Sequence, residues 1–287
     1  MRGAEADNES GEPVLRGLRP RTERSGKFAV WRYLAFESYT IVGPFVLIEQ
    51  GGSTSDDLRP PRELPYAGIS AVQYSLAGSV RYRDSAGHAA GIHTGDLAIT
   101  HAGRGVTVQE QAEPLPNGLS IEAHFLRAWL ALPDRVENTI PAFELYRASS
   151  LPELNVPGGR VRVLLGEGFG CASPASWYQP VLIADVQVNA GGTLPIAPDY
   201  PERAIALLDG DVRLDGRTLK ARRLHVLRPE ARLDLTSESG CRVALFAGHA
   251  FPSPRFIAGG IVASSNAQLD RIYRNYTSGR FPRIEIE

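Results

Sequence analysis

No apolar stretch in this chain runs far before a turn-forming residue interrupts it, and that punctuation constrains the fold more than any other feature. Short apolar segments follow one another closely, among them Phe45 to Glu49, Ile69 to Leu76, Ser79 to Arg83, Asp96 to Thr100, Ile121 to Leu130, Val181 to Val188, Ala204 to Leu208 and Arg242 to Ala247. The gaps hold Ala77-Gly78, Asp84-Ser85-Ala86-Gly87, Asp209-Gly210 and Asp215-Gly216, residue types that reverse a chain within a few positions. With 29 glycines and 21 prolines there are turns enough for many short strands. The pattern predicts an all-β sandwich or barrel architecture.

The length of 287 residues suits either one large all-β domain or two smaller ones. A weak internal repeat favours two. Val72-Gln-Tyr-Ser-Leu-Ala-Gly-Ser-Val-Arg is similar to Ala204-Ile-Ala-Leu-Leu-Asp-Gly-Asp-Val-Arg, and each is followed, after a glycine-bearing turn, by another short apolar strand. We therefore expect a flexible arm over 1–26, a first barrel over 27–135, a linker over 136–160 where Pro141, Pro152, Pro157, Gly158 and Gly159 crowd together, and a second barrel with a terminal helix over 161–287. The helix is expected from about Ser265 to Ser278. Ser265 and Gln268 have capping-box spacing, Leu269, Ile272 and Tyr276 recur on one face, and Gly279 stops it.

Composition excludes several classes of function. The 31 Lys and Arg residues nearly balance 32 Asp and Glu, giving a net charge of -1, which argues against a protein that binds nucleic acid through phosphate neutralisation. No apolar run has the length of a membrane-spanning helix, and the first 26 residues are polar where a secretory signal would be apolar. Two cysteines, Cys171 and Cys241, supply neither a disulfide framework nor a cysteine-based zinc site. A cytoplasmic protein is expected, with no membrane and no nucleic-acid partner.

Gly43-Pro44-Phe45, the segment Gly68 to Ser85 with Arg83-Asp84-Ser85 at its end, Gly95-Asp96, Ala102-Gly103-Arg104-Gly105 and the closing Tyr276-Thr-Ser-Gly-Arg280-Phe281 occur in an ordered series. In that series the chain resembles the pirin family of two-barrel cupins. The resemblance runs from about residue 40 to 283 and implies two tandem β-barrels, with iron bound only in the N-terminal one. It also implies a ligand set of two histidines in a His-Pro-His-Arg-Gly segment, and a histidine and a glutamate just after Ala-Gly-Arg-Gly. Here those segments read Leu64-Pro65-Tyr66-Ala67-Gly68 and Val108-Gln109-Glu110. Leu64, Tyr66 and Val108 stand at the histidine positions, and Glu110 alone keeps the family's residue.

Two of these replacements have no donor atom, and a neutral phenol is a poor ligand for Fe(II), so no metal cofactor is expected at this position. The six histidines, His88, His93, His101, His124, His225 and His249, show no His-x-His or His-x-x-x-His pair. His88 and His93 are read as loop residues, His101 and His124 as core or rim residues able to approach the barrel interior, and His225 as an outward-facing strand residue. Leu64, Tyr66, Val108 and Glu110 are expected to line one cavity. Glu110 there is either a desolvated carboxylate able to act as a general acid or base, unless Tyr66 or an arginine pairs with it, or a solvent-facing group at the mouth.

Three functions follow. The favoured one is a non-catalytic bicupin that has lost its metal ligands and holds a small molecule, or a protein partner, in the barrel or on the surface between the barrels. The others are a metal-dependent oxidoreductase of the quercetin 2,3-dioxygenase type, which the resemblance implies, and a metal-free acid-base enzyme using Glu110.

Overall fold

The computed structural model describes residues 13–25, 28–34, 40–55, 62–113 and 121–285. Strands dominate it, with one α-helix at Asn266–Thr277, and two compact units emerge from its contacts. Both are cupin-type β-barrels.

The first barrel is organised by one 16-residue strand, Ile69–Asp84. Its leading half pairs with Ile121–Ala131 on one side and Leu97–His101 on the other, while its trailing half pairs with Ala89–His93 and Val106–Ala112. One strand therefore belongs to both sheets of the barrel. The changeover lies at Ala77-Gly78, where the register with Ile121–Ala131 slips beside His124 and Phe125 and Gly78 takes φ +78°. The sequence predicts a hairpin turn at this dipeptide. The structure has a β-bulge instead, because a glycine at positive φ bends a strand as readily as it reverses one. The true reversal comes at Ser85-Ala86-Gly87, as expected. Outward from Ile121–Ala131 the sheet continues through Phe45–Ser55, Phe28–Leu34 and Arg21–Ser25, and Arg62–Tyr66 pairs with Val106–Ala112 in the other sheet.

The second barrel repeats the plan. Glu202–Gly210 pairs with Cys241–Gly248 and Leu224–Leu227, and a bulge between Leu207 and Asp209 precedes Gly210 at φ +80°. The internal repeat seen in the sequence thus corresponds to the bent strand of the first barrel and, in the second, to Glu202–Gly210 with the short strand Arg213–Leu214 that follows it in another sheet. A four-stranded sheet, Thr193–Ile196, Leu233–Thr236, Arg213–Leu214 and Arg217–Thr218, completes this unit around a core that includes Val161, Val163, Leu182, Ile205, Leu235 and Leu245.

Three expected boundaries are corrected. Within the 1–26 arm, Val14–Leu18 is a strand paired with Leu224–Leu227, and Arg21–Ser25 extends the first barrel's sheet; residues 1–12 lie outside the described residues. The 136–160 linker instead contains Ala142–Tyr146, an edge strand on Leu97–His101, and Glu153–Val156, an edge strand on Gly159–Gly168. Proline is compatible with sheet edges, so its crowding there marked edges rather than a linker. The terminal helix belongs with the first barrel, not the second, since Phe251–Glu287 clusters with Phe45–Ala148. Ile272 packs with Ala67, Ile261 and Phe281, while Tyr276, expected on the packed face, is 46% exposed and meets Phe281 edge-on at 5.9 Å. Helical periodicity identifies an apolar face and is silent on which surface covers it.

This docking explains a glycine of the family series. Gly68 has φ +66°, and a Cβ there would lie 1.9 Å from the Val262 carbonyl oxygen. The Ile261–Ala263 strand runs directly over it, with Val262 N donating to Ala67 O at 2.9 Å. Gly68→Ala is expected to destabilise the protein by about 1–3 kcal/mol through strain and displaced backbone. Denaturant unfolding reads the loss, and limited trypsin digestion should show faster cleavage after Arg271 or Arg274.

Candidate functional site

Strand alternation sends Gln73, Arg127, Glu49 and Arg32 to one face, where they are consecutive register partners across four strands. Their side chains form a hydrogen-bonded row. Arg127 Nε donates to Gln73 Oε1 at 3.1 Å, Arg127 Nη1 to Glu49 Oε1 at 3.0 Å, and Arg32 Nε to Glu49 Oε2 at 3.0 Å. Arg127 Nη2 also donates to Gln73 and reaches Glu110 on Val106–Ala112 in the opposite sheet. Two guanidinium groups therefore face two carboxylates, and the Arg127–Glu110 pair ties the sheets together. The Glu49 side chain is 5% exposed and that of Arg127 13%, so these are charges largely removed from water. Burial acts against the guanidinium charge of Arg127, but Glu110 and Glu49 outweigh it and raise its pKa above the ordinary value. It stays a fixed cation at any pH the protein encounters.

Next to this row lies an aromatic pair. Tyr66 is buried and packs edge-on against Trp129 with ring centroids 5.0 Å apart, and Trp129 has small Ala71 as its register partner. Among the described residues the Tyr66 hydroxyl meets no partner at hydrogen-bonding geometry. Burial pushes its pKa well above the usual phenol range, against the pull of Arg127. The phenol is held neutral.

All four expected site residues point to one face of their strand pair, since Leu64 sits opposite Val108 and each strand alternates. Val108 and Tyr66 are buried, the Glu110 side chain is 23% exposed, and Leu64, at 41%, lies at the open end. Glu110 is neither a lone desolvated carboxylate nor a free solvent-facing one, because Arg127 pairs with it. Sequence reading named an arginine partner as a possibility without locating it; a charged residue in the alternating interior positions Phe125, Arg127 and Trp129 was the available signal.

The histidines stand elsewhere. His101 is buried, with Nδ1 2.8 Å from Ser70 Oγ and Nε2 3.7 Å from Glu144, on the face of its sheet opposite Gln73; burial lowers its pKa. His124 lies one face away from Phe125 and Arg127 by alternation. His88 pairs with Asp84 at 2.9 Å and His93 lies 2.9 Å from Ser79 Oγ. His225 corrects the sequence reading: its register partner is core residue Ile205, so the side chain lies on the inward face of the sheet and is buried, with Nε2 2.9 Å from the Lys220 carbonyl. Among the described residues no group of three or more His, Cys, Asp or Glu side chains is placed to hold a metal ion.

The donor set does not fit the iron that the resemblance implies. Of the four matching positions two offer only hydrocarbon, one a buried neutral phenol, and the remaining carboxylate already has a cation on it. The outer face of the same strand pair is different. Glu63, Pro65 and Thr107 there join Tyr276, Phe281 and Arg283 in lining a groove of ≈ 420 Å³.

Comparison with known proteins adds the evolutionary context. The Pirin family model matches residues 27–130, and the Pirin C-terminal cupin domain matches residues 183–282. A pirin-like protein of Caulobacter vibrioides is 30% identical, covering 93% of this chain and 94% of that one. A putative quercetin 2,3-dioxygenase of Pseudomonas aeruginosa is 23% identical over 84% of this chain and 87% of its own. Among solved structures, a quercetin 2,3-dioxygenase of Acinetobacter baumannii superposes with a TM-score of 0.85 at 20% identity, covering 95% of this chain and 99% of that one. A nickel(II)-bound bacterial pirin of Escherichia coli superposes at 0.63 and 15% identity, covering 81% and 96%.

Two outcomes are expected from this geometry. Arg127→Met leaves Glu49 and Glu110 without their shared cation and should cost about 3 kcal/mol, read from the denaturant midpoint, with Glu49→Gln and Glu110→Gln in the same chain recovering much of it. A loss below about 1 kcal/mol would show that the row is not holding the sheets. Tyr66 titrates later in the folded than in the unfolded chain, so above about pH 10 the unfolded state gives up its proton first and stability falls as pH rises. Tyr66→Phe should flatten that alkaline decline and, at pH 7, leave stability unchanged or raise it.

Proposed function

Because the chain belongs to the pirin family of two-barrel cupins, we propose that it is a family member that works without the family's metal, binding a small molecule at the open end of the first barrel rather than catalysing an oxidation. The observation that carries this reading is the guanidinium of Arg127 on the carboxylate of Glu110. A resident side chain supplies the positive charge that a metal ion would otherwise bring to that carboxylate. Unlike an ion, a guanidinium has no open coordination position and does not change oxidation state, so it can bind and orient a ligand but offers oxygen nothing to coordinate.

The same pair indicates the chemistry of the ligand. Glu110 accepts and Arg127 donates, and their charges cancel, so the complementary group is a neutral hydroxyl that donates a hydrogen bond to the carboxylate and accepts one from the guanidinium. Exposed Leu64 beside them favours an apolar body. A small, partly hydrophobic hydroxylated molecule meets both demands. Working in the cytoplasm fits the two free cysteines, and no helix among the described residues is long and apolar enough to cross a membrane.

Elemental analysis of the purified protein, paired with a quercetin turnover assay in added Fe(II), tests the proposal. We expect iron, nickel and zinc far below one per chain and no Fe(II)-dependent turnover. Robust turnover that disappears with a chelator would restore the metalloenzyme reading. Metal-independent turnover abolished by Glu110→Gln would assign acid-base catalysis to Glu110 instead. Val108→His provides the internal contrast: one imidazole added beside Glu110 should leave metal content unchanged while Arg127 is present.

A further inference from the structure

The strand pair that carries the first-barrel site has a second, outward face. Glu63, Pro65 and Thr107 alternate with Leu64, Tyr66 and Val108, so they point away from the barrel interior. The chain returns to this face after the terminal helix. Thr107 Oγ1 donates to the Pro282 carbonyl and fastens the tail there. Phe281 is buried against Gly105, where a Cβ would lie 2.8 Å from the aromatic ring. Tail and strands thereby enclose the groove between Pro65, Pro282, Tyr276 and Phe281, with Glu63 and Arg283 also lining it.

The groove combines rigid apolar walls with two opposite charges. Tyr276, 46% exposed, stands at 86° to Phe281, so one ring offers its face where the other offers its edge. Glu63 and Arg283 are exposed, and among the described residues neither forms an ion pair, with the other or with anything else. The Arg283 guanidinium lies over Gly279, where a Cβ would come within 2.9 Å of Nη2, so the absence of a side chain there makes room for it. The Tyr276 hydroxyl has no hydrogen-bond partner among the described residues. One acid, one guanidinium and one phenol are therefore the polar groups that a ligand meets.

Charge complementarity calls for a ligand with a positive and a negative group held apart. A free amino acid carries both on neighbouring atoms, whereas Glu63 and Arg283 do not sit close enough to pair with each other. An extended peptide separates them. Between the charges the walls are aromatic rings and prolines, which suit the rings of a polyproline II segment, a conformation that costs little entropy to order. Such a segment leaves its carbonyls without internal hydrogen bonds, and the Tyr276 phenol is a donor for one of them.

We propose that this groove binds a proline-containing peptide segment in the polyproline II conformation, with a basic residue on Glu63, an acidic residue on Arg283 and prolines against Tyr276 and Phe281. The site lies on the outer face of the strand pair. It stands or falls separately from the small-molecule function proposed for the inner face.

The experiment is a fluorescence anisotropy titration of the full chain against fluorescein-labelled Arg-(Pro)n-Glu amides, with n from two to five, at low salt. At least one should bind saturably. A flexible peptide with the same charges, Arg-Gly-Ser-Gly-Glu, and an uncharged one, Gln-(Pro)n-Gln, should bind more weakly. Tyr276→Ala should weaken binding about tenfold or more, and Glu63→Gln and Arg283→Gln about two- to fivefold each. All three residues are exposed, so these variants keep the core intact. Arg283→Glu should lose affinity for the Arg-(Pro)n-Glu peptide and gain it for Arg-(Pro)n-Arg, an exchange that a loosened fold would not produce. The proposal is overturned by the absence of saturable binding to every Arg-(Pro)n-Glu peptide, by equal affinity for the flexible peptide, or by unchanged affinity in Tyr276→Ala. Self-association of the chain that Tyr276→Ala abolishes, without peptide binding, overturns it too, since a second copy then occupies the groove.

Discussion

The bend at Ala77-Gly78 in the Ile69–Asp84 strand is the constraint on which the first barrel depends. A strand that stays in one sheet can align side chains across that sheet alone. By passing from one sheet to the other, this strand places Gln73 in the charged row and Tyr82 opposite Glu110, so that a residue on the facing sheet comes within reach of Arg127. Glycine is the residue suited to that position, because φ +78° is strained for a side chain and the bulge needs it. The corresponding Gly210 does the same in the second barrel, which is why the repeat is most visible around these two glycines.

Each barrel interior carries an arginine, and the two are satisfied differently. Arg127 is matched by Glu49 and Glu110, so its charge is held by side chains that evolution can replace one at a time. Arg203 is held by three carbonyls, which are dipoles without net charge. The first arrangement is closed electrostatically and presents a neutral, hydrogen-bonding surface beside Leu64. The second has its acid, Asp199, exposed on the wall of the same cavity and acting on the guanidinium without a hydrogen bond to it.

The buried phenol of Tyr66 belongs to the same logic. At a position where the family resemblance places an imidazole, the ring packs on Trp129 and its hydroxyl stays neutral, so the side chain here is part of the wall. Val108 is buried in the same wall. Glu110 meets the guanidinium of Arg127 across the barrel, and that pairing ties the two sheets together.

The sequence by itself determined the all-β class, the two-barrel plan, the capped terminal helix and the chemistry of the four positions that match the family's ligand set, because turn residues, strand alternation, Ser265 capping and residue identity are local properties. What lay outside its reach was pairing over distance. Ala77-Gly78 reads equally as a turn or a bulge until its neighbours are known, and the proline-rich stretch after residue 136 reads as a linker until Ala142–Tyr146 is seen on its partner strand. His225 alternates as an exposed residue would, and only its pairing opposite core residue Ile205 shows that it faces inward. The partner of Glu110 is 17 residues away along the chain and on another sheet. Charge neutralisation in a barrel interior is a property of the closed sheet, and tertiary structure alone decides which cation meets which acid.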